Sequence, residues 1–349
     1  MKRFVVTWRK GLLIASMVFV FALALWAAPT ATHHQHRALE QADMAFEAVH
    51  MTARDPVRLA GFYTQVFGMP TAPRRANLAL PGAVAPIVLQ LPGYEGAGPV
   101  LTLASVAGDT ATDRAARGPL PVYDRGYAHI CFEADDVHRV VQAIQAHGGT
   151  VLSRFDDLAA AAVVYAADPE GNAIEVHIPL PEPVTPWTLA RTLVSGLRTY
   201  FKRPAAEPGP LRFLHVNLNV ADWQRTVAFY QQVVGGEPTG IERNYRGDFI
   251  ANLTSVVGAE VHGRHVALPG YSPGGPTFEV FTYNHAPTVG PLGLDDLGRV
   301  ATGFRVRDLN AAVARFTVAG GVVERRLDAD RVLVQDGDGN RLVLRQQVL

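Results

Sequence analysis

Two residue types that bind metal ions occur in the stretch from Tyr127 to His177. His129 lies in the alternating run YAHICFEADD, and Glu175 lies in the closing run AADPEGNAIEVHI. Between them, the run VHRVVQAIQAHGG has apolar residues at helical spacing, so we predict a strand, a helix and a last strand that carries Glu175. One imidazole and one carboxylate on neighbouring strands are half of a metal site. The other half must come from elsewhere in the chain.

The composition excludes several classes of protein. Among 349 residues, Lys+Arg and Asp+Glu both number 32, so no bulk charge favours a nucleic acid partner. The 48% of hydrophobic and 18% of charged residues are typical of a globular protein. The single cysteine, Cys131, rules out an intramolecular disulfide and a cysteine-based zinc site. We interpret it as a buried structural thiol rather than a nucleophile.

The N-terminus has the pattern of an export segment. Basic residues precede the uncharged apolar run Gly11–Ala28. We therefore predict a signal peptide or an N-terminal membrane anchor over residues 1–28, with the rest of the chain outside. The protein would be anchored in the inner membrane facing the periplasm, or periplasmic or secreted if the signal is cleaved. Residues 29–44 contain three histidines but imply no fixed geometry, so we interpret them as a flexible tether.

An internal repeat governs the predicted fold. The segment Phe46–Met69 matches Phe213–Gly236, and Asp168–Val176 resembles Asp336–Leu344. The chain therefore holds four units, which we call modules A, B, A′ and B′ in chain order. In each module a strand leads to an aspartate that can cap a helix, and alternating runs follow, so we predict an α+β fold built from four β-α-β-β-β modules.

A proline-flanked linker, residues 179–210, separates modules B and A′. We predict one domain over 45–178 and a second over 211–349. Within the linker, Trp187–Phe201 has helical periodicity with four apolar residues on one side: Leu189, Leu193, Leu197 and Tyr200. We expect this helix to dock through that apolar side.

Paired β-α-β-β-β modules with Phe-Tyr late in the first helix and DPEGN before a glutamate-bearing strand resemble the vicinal oxygen chelate superfamily. It includes glyoxalase I, methylmalonyl-CoA epimerase, extradiol dioxygenases and bleomycin-resistance proteins. The resemblance covers residues from about Phe46 to Gln347 and implies two domains of this fold. It does not specify a substrate, since one such fold supports several chemistries.

The resemblance also implies where metal ligands would lie. In this family each module can supply one ligand from its first strand, seven residues before the capping aspartate, and a glutamate from its last strand. Module B then supplies His129 and Glu175, and module A′ supplies His215 and Glu279. Modules A and B′ have other residues at these positions: Ala48, Thr102, Ala301 and Val343.

Two module pairings are open. Pairing in chain order gives two sites with two ligands each, too few for a catalytic metal. Pairing the inner modules gives one site with two histidines and two glutamates, which suits octahedral Ni²⁺, Co²⁺, Zn²⁺ or Mn²⁺. Alternatively the four residues are relics in metal-free cavities. A third possibility recruits His50, two residues after Ala48, with His129 and Glu175 as an iron-binding triad.

Strand alternation names further residues that would face the cavity and contact a substrate. His177 shares a face with Glu175, Asn217 with His215, and Tyr283 with Glu279. His50, which shares a face with Ala48, is a further candidate for substrate contact. Four arginines of module B′ would share one strand face and could bind a carboxylate or phosphate, although arginines at strand ends are often solvated: Arg299, Arg305, Arg341 and Arg345.

Three functions fit these observations. The first is a divalent-metal-dependent isomerase or lyase that acts on a small substrate with neighbouring oxygens through an enediolate, with Glu175 or Glu279 as the base. Export argues against glyoxalase I itself, whose glutathione adduct is chiefly cytoplasmic. The second is a metal-free module that binds a small molecule. The third is an extradiol-type dioxygenase. The sequence does not indicate the oligomeric state.

Overall fold

The structure, a computed structural model, describes residues 16, 36–37, 42–95, 98–105, 121–180, 184–203 and 211–347. The predicted signal or anchor segment and most of the tether lie outside these residues and stay predictions. Among the helices that are described, none is long and apolar enough to cross a membrane.

The first half of the chain contains modules A and B. The first module and the residues before it contain β1 (His36–Arg37), β2 (Met44–Thr52), α1 (Pro56–Phe67), a 3-10 helix (Pro73–Leu78), β3 (Val84–Gln90), β4 (Tyr94–Glu95) and β5 (Val100–Ser105). Module B contains β6 (Gly126–Glu133), α2 (Val137–Ala146), β7 (Thr150–Val151), a 3-10 helix (Leu158–Ala160), β8 (Val163–Ala167) and β9 (Ala173–His177).

The second half begins with the linker helix α3 (Pro186–Tyr200). Module A′ contains β10 (Arg212–Asn219), α4 (Trp223–Val234), β11 (Glu237–Tyr245), α5 (Asp248–Thr254), β12 (Val261–Ala267) and β13 (Thr277–Tyr283). Module B′ contains β14 (Gly298–Val306), α6 (Leu309–Val318), β15 (Val322–Arg326), β16 (Arg331–Gln335) and β17 (Arg341–Gln346).

The repeated aspartates begin the main helix of each module, as predicted. In every case the carboxylate accepts a hydrogen bond from a backbone N–H in the first turn: Asp55, Asp136, Asp222 and Asp308. Each cap satisfies a donor that the helix itself cannot pair. Only two or three residues separate the first strand from the helix in every module, which is why counting back from the aspartate identifies equivalent strand positions.

The modules pair in two ways at once. Modules B and A′ share one eight-stranded sheet of order β11-β12-β13-β10-β6-β9-β8-β7, and modules B′ and A share a seven-stranded sheet of order β15-β16-β17-β14-β2-β5-β3. At the centre of each sheet the first strands pair antiparallel, β6 with β10 and β14 with β2. The sheets therefore join the inner modules to each other and the outer modules to each other.

Contacts between helices and turns join the modules in chain order. Helix α1 packs against α2, and α4 packs against α6. The hydroxyl of Tyr63 in module A donates to Asp168 of module B at 2.9 Å, and Tyr230 of module A′ donates to Asp336 of module B′ at the same distance. The repeated Phe-Tyr and Asp-x-x-Gly-Asn motifs therefore hold A to B and A′ to B′ across a continuous hydrophobic core.

Module A departs from the predicted pattern of four strands. Only β2, β3 and β5 enter the seven-stranded sheet, because β4 pairs with β1 instead. An isolated bridge between Thr71 and Leu89 lies beside β3. Pro70 and Pro73 flank Thr71 and supply no backbone N–H, which disfavours a longer strand there.

The linker helix corrects one prediction. Helix α3 does form, but its apolar side does not dock: Leu189, Leu193 and Leu197 are 49%, 61% and 38% exposed. Its polar side faces the protein instead. Arg191 forms an ion pair of 2.9 Å with the buried Glu133, and the hydroxyl of Ser195 donates to Asp135 at 3.2 Å. Charge pairing with two buried carboxylates determines the orientation of the helix.

Candidate metal centre

Four side chains converge at the seam of the eight-stranded sheet. His129 on β6, Glu175 on β9, His215 on β10 and Glu279 on β13 offer ligand atoms that all lie within 4.8 Å of one another. The two Nε2 atoms are 3.3 Å apart. His129 Nε2 lies 2.9 Å from Glu175 Oε2 and 3.3 Å from Glu279 Oε2. Donors about 2 Å from one ion are separated by roughly 3–3.4 Å, so these distances fit the donors of a single metal.

The charges in the cluster favour a divalent cation. Burial and the neighbouring Glu279 carboxylate raise the pKa of Glu175, but hydrogen bonds from His129 and His215 outweigh them and lower it to about 2. Burial also raises the pKa of Glu279, yet the nearby imidazoles hold it well below its ordinary value. Two ionised carboxylates are therefore enclosed together, and a doubly charged cation would neutralise both. The residues present fit a divalent metal.

Glu279 is held by two side chains outside the group of four. Asn217 Nδ2 donates to Glu279 Oε2 at 3.1 Å, and His265 Nε2 lies 3.2 Å from Glu279 Oε1. The other ring nitrogen of His265 lies 2.9 Å from the Thr277 hydroxyl. Asn217, which we predicted to contact a substrate, therefore positions a carboxylate. The sequence interpretation missed His265, although this residue lies in the apolar-rich run VHGRHVA just before the strand of Glu279.

Glu175 lacks this support. The position that pairs with Glu175 on β6 is Cys131, and the position that pairs with it on β8 is Tyr165. The matching positions around Glu279 are Asn217 and His265. Among the described residues, the hydrogen bonds to the Glu175 carboxylate come from His129 and His215. The two carboxylates are therefore related by the module repeat but differ in how firmly they are held.

Apolar and aromatic side chains enclose the centre. The His129 ring lies 4.9 Å from the ring of Tyr165, and both histidines of the group are about 1% exposed. Tyr165 belongs to a cluster with Phe281 and with Ile250 and Leu253 of helix α5. This helix therefore covers the cavity of the sheet and separates the ligand atoms from bulk water.

Two further residues predicted to contact a substrate lie close to the centre. His177 is buried, and its ring centroid is 6.5 Å from that of His215. Burial, followed by Glu279 and Glu175, raises the pKa of the Tyr283 hydroxyl, which places this phenol beside both carboxylates. The structure brings both side chains to the cavity that the four candidate ligands share.

His50 does not join this cavity, so the triad of His50, His129 and Glu175 is wrong. His50 lies on β2 in the other sheet, and its Nδ1 atom is 2.8 Å from the Thr102 hydroxyl. The triad would need β2 in the same sheet as β6 and β9, but β2 lies between β14 and β5 in the seven-stranded sheet.

The equivalent positions of the seven-stranded sheet are packed with apolar side chains. Ala48 belongs to one hydrophobic cluster with Leu78 and Val88, while Ala301 and Val343 belong to another with Leu333. Within the part of the chain that the structure describes, both groups of residues able to hold a metal lie in the eight-stranded sheet; the second comprises Cys131, Glu175 and His177. The asymmetry seen in the sequence therefore corresponds to one polar and one apolar sheet centre.

Comparison with protein families identifies both halves of the chain. Residues 48–177 match the model of a glyoxalase-like domain. Residues 212–344 match the model of the glyoxalase/bleomycin resistance protein/dioxygenase superfamily. No curated protein matches the chain.

Solved structures share the tandem arrangement. Glyoxalase I from Zea mays is 17% identical with a TM-score of 0.53, over 87% of this chain and 92% of its own. A point mutant of that maize enzyme is 16% identical with a TM-score of 0.55, over 87% of this chain and 94% of that one. A putative dioxygenase from Bacillus subtilis is 12% identical with a TM-score of 0.51, over 87% and 86% of the two chains. At these identities the likeness concerns the fold. The chain belongs to the vicinal oxygen chelate superfamily, with two glyoxalase-like domains.

Proposed function

We propose that this protein is a divalent-metal-dependent isomerase or lyase that moves a proton on a small substrate with two neighbouring oxygen atoms. The observation that carries the proposal is the buried group of His129, Glu175, His215 and Glu279, whose four ligand atoms converge on one point. A divalent ion bound there would leave two positions of an octahedral site for adjacent substrate oxygens and would stabilise negative charge on them.

Three of the four candidate ligands are fixed in position, and the fourth can change its orientation. His129 and His215 come from the paired central strands β6 and β10, whose backbones are fixed by the sheet. Glu279 is fixed by Asn217 and His265. Glu175 has no such partners among the described residues, so it is the carboxylate that can turn toward a substrate carbon and accept its proton. We therefore assign Glu175 as the general base and Glu279 as a ligand.

The surrounding residues suit a small substrate. Helix α5 and the aromatic residues Tyr165 and Phe281 exclude water, which strengthens electrostatic interactions inside the cavity and protects a carbanion-like species from solvent. The buried His177 and the Tyr283 hydroxyl are available to orient polar groups of the substrate. The enclosed site favours a compact molecule over a polymer.

Metal analysis of the purified protein tests the proposal. We expect about one divalent ion per chain in the wild type, and little in His129→Ala, because three remaining ligands hold a divalent ion less well. His262→Ala is the matched control, since His262 lies on β12 outside the group and should leave the metal content unchanged. A metal-free protein, or equal metal content in both variants, would favour the alternative of a metal-independent binding module.

Proton exchange tests the reaction class. We expect metal-loaded protein to catalyse exchange of deuterium from D₂O into the carbon next to the carbonyl of small 2-hydroxycarbonyl compounds, followed by NMR. Glu175→Gln should lower the exchange rate by about 10²–10⁴-fold, the typical contribution of a general base. Glu279→Gln should act chiefly through lost metal affinity, so excess metal should restore its exchange more fully. Ring cleavage of a catechol, with consumption of O₂, would instead identify a dioxygenase.

A further inference from the structure

A second cavity lies at one end of the seven-stranded sheet, away from the candidate metal centre. Its volume is about 400 Å³, within the range of small-molecule sites. It is bounded by β2, β14 and β17, by the 3-10 helix of module A and by the loop before β13. The charged residues of its lining, within the described part of the chain, are three arginines and one glutamate: Arg75, Arg305, Arg345 and Glu47.

The arginines of this sheet are aligned across neighbouring strands. Arg305 on β14 lies directly opposite Arg345 on β17, and Arg345 lies directly opposite Arg331 on β16. Like charges at directly opposite positions destabilise a sheet. Three adjacent strands therefore carry an arrangement that costs folding free energy unless negative charge compensates it.

Acidic side chains contact Arg345 and Arg331. Glu47 accepts two hydrogen bonds from Arg345, at 2.8 and 2.7 Å, and Asp328 accepts one from Arg331 at 2.8 Å. Arg331 also donates to the Ala79 carbonyl at 2.7 Å, which fixes the chain that follows the 3-10 helix over the sheet. Among the residues that the structure describes, the charged side chains lining the cavity are three arginines and one glutamate, with a formal net charge of +2.

The three arginines that line the cavity are partly buried and close enough to influence one another. For Arg75, burial is the largest influence that lowers the pKa. Glu47 and Tyr271 oppose the effect, and the like charges of Arg345 and Arg305 lower the pKa further. Arg75, Arg305 and Arg345 are all half-buried rather than fully solvated. Their guanidinium groups therefore face one another in a confined space, unlike arginines that extend from strand ends into water.

We propose that this cavity binds a small molecule carrying a doubly charged oxyanion, either a phosphate monoester or a dicarboxylate. Arginine suits both, because its planar guanidinium donates two parallel hydrogen bonds to oxyanions. Asn77 and Tyr271 line the same cavity and add neutral polar groups; the Tyr271 hydroxyl is fixed by donation to the Phe46 carbonyl at 2.6 Å. The site is separate from the candidate metal centre, because it lies on the other sheet.

Isothermal titration of the full chain tests this proposal with two probes, inorganic phosphate and malonate, at ionic strength held constant with chloride. We expect saturable binding of at least one probe, and the stronger probe distinguishes a phosphate site from a carboxylate site. Arg305→Gln should raise its Kd by about tenfold or more, the loss expected for a hydrogen bond to a charged group. Arg307→Gln is the matched control, because Arg307 follows the same strand but pairs with Asp43 in solvent.

Three results would overturn the proposal. The first is that neither probe binds saturably. The second is that Arg305→Gln and Arg307→Gln raise the Kd of the probe equally. The third is that chloride, at the same concentration as the probe, abolishes binding of the probe. Arg305→Lys keeps the positive charge but loses the planar guanidinium that donates two parallel hydrogen bonds. Its affinity for the probe should therefore lie between those of the wild type and Arg305→Gln, which would also show that the fold tolerates a substitution at this position. Circular dichroism and unchanged metal content of each variant separate lost binding from lost structure.

Discussion

The Nε2 atoms of His129 and His215 lie 3.3 Å apart, although the two residues belong to different modules on either side of the linker. They meet because β6 and β10 pair antiparallel at the centre of the eight-stranded sheet. Neither module alone contains more than one histidine and one glutamate of the group. The candidate metal centre therefore depends on the contact between the two halves of the chain, and metal should stabilise that contact.

Removal of metal should destabilise the protein. A ligand present at about 1,000 times its Kd stabilises the folded state by about 4 kcal/mol, so a chelator should lower the melting temperature of metal-loaded protein by several degrees. Calorimetry with and without EDTA measures the effect. The His129→Ala variant should melt at nearly the same temperature in both conditions, and a chelator effect of equal size in this variant would contradict metal binding at the proposed group.

Loss of Asn217 should weaken metal binding without removing a ligand. Its side chain donates to Glu279 Oε2 at 3.1 Å and to the Glu279 carbonyl at 3.2 Å, and residues that orient ligands typically contribute about 10–100-fold to affinity. Competition with a chromophoric chelator should show this loss for Asn217→Ala. The exposed Asn244, on β11, provides the control variant Asn244→Ala, which should bind metal as the wild type does. Equal affinities in the two variants would rule out the positioning role.

His50 should make folding stability depend on pH. Burial, with a smaller contribution from Arg331, lowers its pKa from 6.5 to about 3. Between these values the unfolded chain binds a proton that the folded chain does not, so stability falls as the pH falls below 6.5. From pH 7 to pH 5 this residue should cost about 2 kcal/mol of the free energy of unfolding.

Denaturant titrations of the wild type and His50→Gln at the two pH values measure this contribution. The variant should lose about 2 kcal/mol less than the wild type over the same interval, since other titrating groups contribute equally to both proteins. A parallel loss in the two proteins would show that His50 takes up its proton in the folded state.

A substitution on the polar side of α3 should destabilise the protein far more than one on its apolar side. Arg191→Ala removes a partner of the buried Glu133 carboxylate and should lower the free energy of unfolding by about 1.5–3 kcal/mol, even though Arg212 still pairs with it at 3.0 Å. Leu193→Ser changes an exposed side chain and should alter stability by less than about 0.5 kcal/mol. Urea unfolding compares them, and a larger loss for Leu193→Ser would mean that the apolar side is covered in solution.

Equivalent strand positions could be inferred from the sequence because each lies seven residues before the aspartate that caps the helix of its module. That count placed His129 and His215 in equivalent positions, and the distribution of ligands then favoured pairing of the inner modules, which the sheets show. The hydrogen bond from Asn217 to Glu279 was not inferred from the sequence, and the predicted contact of Asn217 with a substrate stays a prediction. Alternation shows that a side chain faces the cavity, but it does not show whether the side chain binds a substrate or a neighbouring carboxylate.

The remaining differences arise from contacts between distant segments. His265 joins the site only because β12 pairs with β13 in a register that places it opposite Glu279. For α3, apolar periodicity identified an amphipathic helix but not the side that docks. That choice depends on Glu133 and Asp135, two buried carboxylates at the end of β6 that lie far from the helix in sequence.

The nested pairing of modules has a consequence for synthesis on the ribosome. β2 pairs with β5 on one edge and with β14 on the other, and β14 emerges only after most of the chain has been made. At about 5–20 residues per second, β2 would wait on the order of ten to fifty seconds without it. The inner sheet can close first, while β2 keeps one unpaired edge that promotes aggregation. The last module to be translated therefore protects the first, and C-terminal truncation should damage folding at the opposite end of the chain.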